Sequence, residues 1–267
     1  MKKIGLYFIL LLGSFVSAFP LYYLFISTTN SAKEIGEGKL TIGKELSQNL
    51  TELFSTYDFV QLTYNTLKIT VISVVLSLAI ASLSAYGFEK YQTKFSERIY
   101  TVLLMIMMVP QAALMVPLFK MMAGWNLVNT PWSVIFPSIT NIFLIFFFRQ
   151  GFKLFPDDII EAAKIDGANG FKTFYAIVVP SMKSTFASGT ILSFLSNWNA
   201  FLIPLIMLQT DDQATLPLLI SGLSTASYET NYHIQMLAIA LTTIPTLFLF
   251  IFVQRYFMEG MQGSIKR

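Results

Sequence analysis

The sequence predicts an all-α membrane protein with six transmembrane helices, and three observations lead there. Only 12% of the 267 residues are charged, against about a quarter in a soluble domain, and 54% are apolar. The missing charge is concentrated in six apolar runs, each about long enough to cross a ~30 Å hydrocarbon core. Lys and Arg cluster on alternate connections between those runs, as cytoplasmic loops do.

The first run, residues 4–27, follows Lys2 and Lys3. It continues through AFPLYYLFIS, past the roughly 7–15 residues of a signal-peptide core, and is expected to be a retained anchor. Residues 1–60 are this anchor plus an extension, helical around LSQNLTELF. The extension contains GKLTIGKE (Gly38–Glu45), which begins like a phosphate loop. Glu45 stands where Ser or Thr should hold Mg²⁺, and no apolar strand leads into it, so no nucleotide site is expected.

Runs at 64–87, 99–119, 131–149, 184–208 and 235–254 make a five-span core within residues 61–255, and 256–267 form a tail. The connection 88–98 carries Lys90, Lys94 and Arg98; residues 149–183 carry Arg149, Lys153, Lys164, Lys172 and Lys183; the tail region carries Arg255, Lys266 and Arg267. Residues 209–234 have no Lys or Arg, and residues 28–63 are net acidic. Both termini and the 149–183 loop are therefore expected on the cytoplasmic side.

Several activities are disfavoured. The chain has no cysteine, which excludes disulfides and thiolate metal sites, and its lone histidine, His233, is expected in a short polar loop. The spans hold almost no ionisable residues; Lys68 and Lys120 lie near span ends, where they can snorkel. Ion-coupled transport and intramembrane hydrolysis both want such groups at membrane depth. No catalytic residue and no metal site is expected, and any energy for transport must come from elsewhere.

Uncharged polar residues do occur in the spans. Thr190, Ser193 and Asn197 share one helix face, Ser196 and Asn199 a neighbouring one, with Trp198 between the asparagines. Asn65, Gln111 and Asn141 could join them. Two readings stay open: glue between packed helices, or a pathway for an uncharged, hydroxyl-rich solute. Prolines 110, 117, 137, 204 and 245 are candidate kinks.

The most elaborate connection is FPDDIIEAAKIDGANGFKTFYAIVVPSM, residues 155–182. Pro156, Asp157 and Asp158 suit a helix start. Ile159, Ala162, Ala163 and Asp166 then recur with helical spacing, and Gly167 offers a left-handed stop. A second helical piece carries Phe171, Phe174 and Val178, closed by Pro180. A helix lying passively under lipid would favour Lys/Arg flanks and a Trp/Phe/Leu face. The first piece is acidic and alanine-rich, which better suits docking to another protein.

These residues carry a resemblance. EAAKIDGANGFKTFYAIVVP resembles the E-A-A-x-x-x-G-x(9)-I-x-L-P signature of permease subunits of bacterial ATP-binding-cassette importers, matching at Glu161, Ala162, Ala163, Gly167, Ile177 and Pro180, with Val179 in place of leucine. Asp166 and Ala168 extend the likeness to the carbohydrate-uptake branch, as do AYGFEKY, MVPLF, NWNAF and QRYFMEGMQGSIKR. The pattern is similar to the shorter permease of maltose-type importers. The resemblance implies a subunit of the bacterial cytoplasmic membrane that passes a sugar, such as a di- or oligosaccharide. It implies no cofactor here, ATP and Mg being bound by partner ATPase subunits. The implied partners are a homologous second permease, a cytosolic ATPase dimer, an extracytoplasmic solute-binding protein and membrane lipid, with no nucleic acid. Glu161, Ala162, Ala163, Ile165, Asp166, Gly167 and Ala168 would receive the ATPase. The tail, with Gly263, Ser264 and Lys266, would touch it as well. The rival is a self-contained channel or secondary transporter.

Overall fold

The structure, a computed structural model, describes residues 2–225 and 231–265, with side chains for 3–224 and 231–254. All regular elements among the described residues are helical. In chain order they are α1 (Lys2–Ser27), α2 (Ala32–Gly36), α3 (Leu46–Thr56), α4 (Phe59–Lys90), α5 (Lys94–Ile106), α6 (Met115–Gly124), α7 (Trp132–Ile139), α8 (Ile142–Lys153), α9 (Asp157–Ile165), α10 (Gly170–Thr173), α11 (Val179–Ser181), α12 (Lys183–Trp198), α13 (Leu202–Met207), α14 (Leu216–Thr225) and α15 (Tyr232–Ile265). Among the described residues, five segments are long and apolar enough to cross a membrane: Lys3–Ser27, Phe59–Lys90, Trp132–Lys153, Lys183–Met207 and Tyr232–Gln254. One further pair of helices, Lys94–Ile106 with Gln111–Gly124, is long and apolar enough only when taken together, and it is bent by 98°.

The third run is therefore not a straight span. Pro110 supplies no N–H and disfavours helical geometry in the residue before it. The chain leaves α5 at Ile106 and re-forms as a 3₁₀ turn, Gln111–Leu114, before α6. The next two spans are broken more gently. Asn141 caps α8 by accepting from the Leu144 N–H at 3.0 Å, and α12 ends at Trp198 before α13 begins at Leu202.

The chain divides into two compact units, Met1–Thr63 with Thr215–Thr246, and Tyr64–Ala214 with Leu247–Arg267. In the first, the connection from α1 to α3 is tied by side chains. Asn49, buried, donates to the carbonyls of Thr28 (2.9 Å) and Asn30 (3.0 Å). Ser31 and Glu34 form a capping box at α2, and Lys39 Nζ lies 2.6 Å from Glu34. The Lys39 hydrogen bond, followed by the Ser31 N–H, holds the Glu34 carboxyl below its usual pKa. Gly43 donates to Thr29 Oγ1 at 2.8 Å, and a Cβ there would overlap the Thr29 carbonyl. The glycine of the GKLTIGKE stretch thus serves a close turn, and Glu45 stands at the start of α3. His233 does not sit in a loop: α15 begins at Tyr232, and its Nε2 lies 3.2 Å from Glu52 with the side chain mostly buried.

The second unit is built on an aromatic core. Tyr86, Tyr100, Phe148, Phe152, Phe155 and Phe174 are buried together with Ala81, Ala85, Leu144, Ile160 and Val178. Gly189 lets α12 approach α8, since a Cβ there would press on the Phe148 ring, and Gly151 does the same opposite Thr185. The segment before α12 ends at Ser181, one residue past Pro180, and holds one feature that the spacing did not predict. Phe174–Val178 widens into a π turn, and Pro180 sits in the first turn of α11. Proline cannot supply the N–H that the carbonyl four residues back would accept, and a local change of hydrogen-bond register accommodates that loss.

Candidate functional site

The segment 155–182 is presented as a short helix with a defined stop. Pro156 precedes α9 with φ −59° and ψ 127°, and Asp157 and Asp158 occupy the first turn, where carboxylates meet the positive end of the helix dipole. At the other end Gly167 has φ +80°. Its N–H donates to the Lys164 carbonyl (3.0 Å), and that of Ala168 to the Ala163 carbonyl (2.9 Å). These two bonds are a Schellman cap, which needs a residue free to adopt left-handed geometry after the last helical turn.

α9 has an inner and an outer side. Ile160 and Ala163 are buried, Ile160 within the aromatic core. Glu161, Ala162, Ile165, Asp166 and Gly167 are exposed, Ile165 at 87%, and Ala168 is half-buried. Of the two alanines only Ala162 contributes to a thin outer face; Ala163 gives its small volume to close packing beneath.

Charged groups fasten this segment to its surroundings. Lys90, at the end of α4, donates from Nζ to Asp157 Oδ1 (2.7 Å) and to the Phe155 carbonyl (3.0 Å), with its side chain only 8% exposed. The Tyr91 hydroxyl lies so close to Gly170 that a Cβ there would overlap it. Asn169 caps α10 by accepting from the Lys172 N–H at 2.8 Å. One helix back, Arg149 of α8 reaches Glu89 of α4 (3.0 Å) and Glu97 of α5 (2.5 Å), with its guanidinium 3.9 Å above the Tyr100 ring. Sequence reasoning counted Lys90 and Arg149 only as signs of sidedness. A lone arginine closing an apolar run, with FEKY one connection earlier, was the signal available for pairing.

The polar span residues separate into two groups. Ser193 and Asn197 are buried: the Ser193 hydroxyl shares a hydrogen bond with Ser77 of α4 (2.9 Å), and Asn197 donates to the Ser193 carbonyl (2.8 Å). Trp198 is 1% exposed and stacks on Phe194, so its ring face is closed to a solute in this arrangement. Asn65 is also buried, donating to the carbonyls of Asp212 (2.8 Å) and Ala214 (2.9 Å). Asn141 is half-buried and acts as the α8 cap. In contrast Gln111, Ser196 and Asn199 are exposed. Ser196 and Asn199, the latter the C-cap of α12, lie three residues apart on one outer stripe. Of the tail residues, Gly263 and Ser264 fall within α15 without described side chains, and Lys266 lies outside the described residues.

The turn 209–214 joins α13 to α14 and is held from two sides. Besides Asn65, it is gripped by Asn129, whose Oδ1 accepts from the N–H groups of Gln209 (2.9 Å) and Thr210 (3.2 Å), and whose Nδ2 donates to Thr210 Oγ1 (2.9 Å). Asn129 itself has φ +61°, a geometry asparagine tolerates. Hydrogen bonds from the Thr210 and Gln213 side chains hold the Asp212 carboxyl below its usual pKa. Sequence reasoning did not find this clasp; the only local hint was an asparagine ahead of Thr-Pro.

Comparison with known proteins adds three findings. The family described as binding-protein-dependent transport system inner membrane component matches residues 77–263. The chain is 42% identical to the lactose transport system permease protein LacG of Rhizobium radiobacter, over 97% of this chain and 95% of that one. It is 34% identical to the arabinooligosaccharides transport system permease protein AraQ of Halalkalibacterium halodurans, over 95% and 92%. In fold it is similar to a solved bacterial ABC transporter involved in the import of the acidic polysaccharide alginate, with TM-score 0.83 and 21% identity across 96% of this chain and 97% of that one.

Proposed function

The chain belongs to the inner membrane components of binding-protein-dependent transport systems, and from that premise we propose how it works: as one of two permeases that pass a di- or oligosaccharide inward, driven by an ATPase dimer docked on α9. It is a multi-pass permease, and ATP is handled by separate subunits. In the proposed orientation both termini and α9 face the cytoplasm, and the bent pair counts as one of six spans. Residues 1–60 form an anchor with an outer extension, 61–255 the transport core, and the tail from 256 meets the ATPases through Gly263, Ser264 and Lys266. The sugar class is argued from the relatives, which are named for lactose and arabinooligosaccharides.

The observation that carries the docking role is the two-sidedness of 157–168. Glu161, Ala162, Ile165, Asp166 and Gly167 stand free on a capped, rigid turn, while Ala163 and Ile160 seal it to the span core. A partner pushing on the first set moves the second. Transmission by rigid-body displacement then needs no ionisable group within the membrane.

For the solute path we propose the exposed residues Gln111, Ser196 and Asn199 as lining, presented to the second permease. Asn141, Ser193, Asn197 and Trp198 frame it from behind, and Asn65, spent on the 209–214 turn, stands outside it. Asn199→Leu should cut transport in proteoliposomes by roughly tenfold, ~1.4 kcal/mol of lost transition-state binding, with assembly unchanged. Asn197→Leu should instead reduce assembled complex, because it removes a buried hydrogen bond. Equal assembly defects in both variants would leave only the helix-packing role.

The direct test is purification from membranes after co-expression with neighbouring transport subunits. An ATPase and a second permease should come down with this chain, and sugar-loaded binding protein should stimulate hydrolysis. Isolation as a stable lone protein, unaffected by ATP, would favour the channel or secondary transporter.

A further inference from the structure

Helix α4 is fastened at both ends to the parts of the molecule proposed to meet partners. Near its outer end, Asn65 donates hydrogen bonds into the turn 209–214, to the carbonyls of Asp212 and Ala214. At its inner end, Lys90 holds the Phe155 carbonyl and Asp157 at the start of α9. The 25 steps from Asn65 to Lys90 rise about 37 Å at 1.5 Å per residue, enough to cross a ~30 Å hydrocarbon core.

Between those ends α4 has little freedom to slip. One side is a buried column of Thr66, Thr70, Ser73 and Ser77, tied to α12 through the Ser77–Ser193 hydrogen bond. Further down, Ala81, Ala85 and Tyr86 are packed into the aromatic core that also contains Ile160 of α9. α4 is an uninterrupted helix over its 32 residues, whereas the spans that contain α8 and α12 are each broken.

We propose that α4 is a strut that ties the outer turn 209–214 to the ATPase-docking helix α9, with Asn65 and Lys90 as the positioning residues at its two ends. The inference rests on the permease reading above and names the element that would carry the movement. Arrival of a binding protein at the outer turn and its acidic pair, Asp211 and Asp212, is felt at α9 because turn, strut and docking helix move as one body. Coupling between distant sites rests on an element with two arrangements that both sites bias; here the element is α4 with the turn and α9, and the arrangements are its positions in the two nucleotide states.

The test uses the complete complex of this chain with its second permease, ATPases and binding protein. Asn65→Ala and Lys90→Met should assemble and keep basal ATP hydrolysis, because the carbonyls of the exposed turn and the 74% exposed Asp157 can turn to water, as the buried partners of Asn197 cannot. Stimulation by sugar-loaded binding protein should fall by roughly tenfold, inside the ~5–150-fold range of coupling between sites. The double variant should be no worse than either single one, since two ends of one strut fail in series, and Lys90→Arg should recover stimulation by restoring the contact to Asp157. A second measurement is independent of those variants. The chain has no cysteine, so spin labels at Asp211→Cys and Asp158→Cys report one distance cleanly. Between nucleotide-free and vanadate-trapped complexes it should change by no more than ~2 Å, the scale of a packed helix shift. A larger change, or full stimulation in both variants, overturns the strut while leaving the permease reading intact. A chain that never brings down an ATPase overturns the reading beneath it.

Discussion

Gly167→Asp and Glu161→Lys are each expected to abolish binding-protein-stimulated ATP hydrolysis while leaving the chain inserted in the membrane. The expectation for Gly167 comes from separating two costs. Its backbone is left-handed, at φ +80°, so any side chain there is strained. Asparagine and aspartate tolerate that region best, and the penalty is about 1 kcal/mol, too little to unfold a polytopic protein. A Cβ at this position meets nothing within 4 Å in the chain itself. What remains is the space outside, where a carboxylate would occupy the surface proposed to receive the ATPase. Glu161 is likewise exposed, and reversing its charge changes the face without touching the core. Gly167→Asn separates geometry from charge and should retain part of the stimulation. The measurement is ATPase activity of purified complexes with and without loaded binding protein. Wild-type stimulation in both Gly167→Asp and Glu161→Lys would remove α9 from the coupling path.

How much of this was legible beforehand follows from what a linear pattern encodes. Absence of charge over about twenty residues is a one-dimensional signal, and each of the six runs has a helix or helix pair in the structure. The Schellman stop was equally local: a glycine after a helical repeat, followed by Ala168. Pro110 announced a break in the third run but not its 98° bend, because the direction of a kink is set by packing on either side. Pro180 was expected to close a helix, and the helical run stops one residue later, at Ser181; the π turn upstream, which absorbs the missing donor, had no signal in the spacing.

The polar span residues show a deeper limit. Spacing put Ser193 and Asn197 on one face and Ser196 and Asn199 on another, and those faces exist. Spacing carries no information on which face meets Ser77 and which is left outward. Asn65 could be recognised as polar near a span mouth, yet its partners are two backbone carbonyls almost 150 residues away. Ion pairs are hidden for the same reason: Arg149 is separated from Glu89 and Glu97 by 60 and 52 residues.

That arginine carries the largest stability effect in the core. Arg149 and Glu89 are each only 10% exposed, and the guanidinium joins α8 to α4 and α5 over the face of Tyr100. Removing one partner of a buried pair leaves the other charge without compensation, at a cost of roughly 3–5 kcal/mol. Glu97, at 44% exposure, can return to solvent and adds little to that figure. Arg149→Met should therefore lower the thermal midpoint of the detergent-solubilised chain sharply, and Arg149→Lys should rescue only in part. An ammonium lacks the planar fork that reaches two carboxylates while lying on a ring. The decisive comparison is the double variant Arg149→Met with Glu89→Gln. If the loss comes from a stranded carboxylate, neutralising Glu89 should recover much of the midpoint. If the double variant is as unstable as Arg149→Met alone, the arginine acts by its packing on Tyr100 instead. The distinction bears on function, because the Glu89 end of α4 lies beside Lys90, the residue that holds α9 in place. A chain that keeps its fold but loosens this joint should lose stimulation before it loses basal hydrolysis.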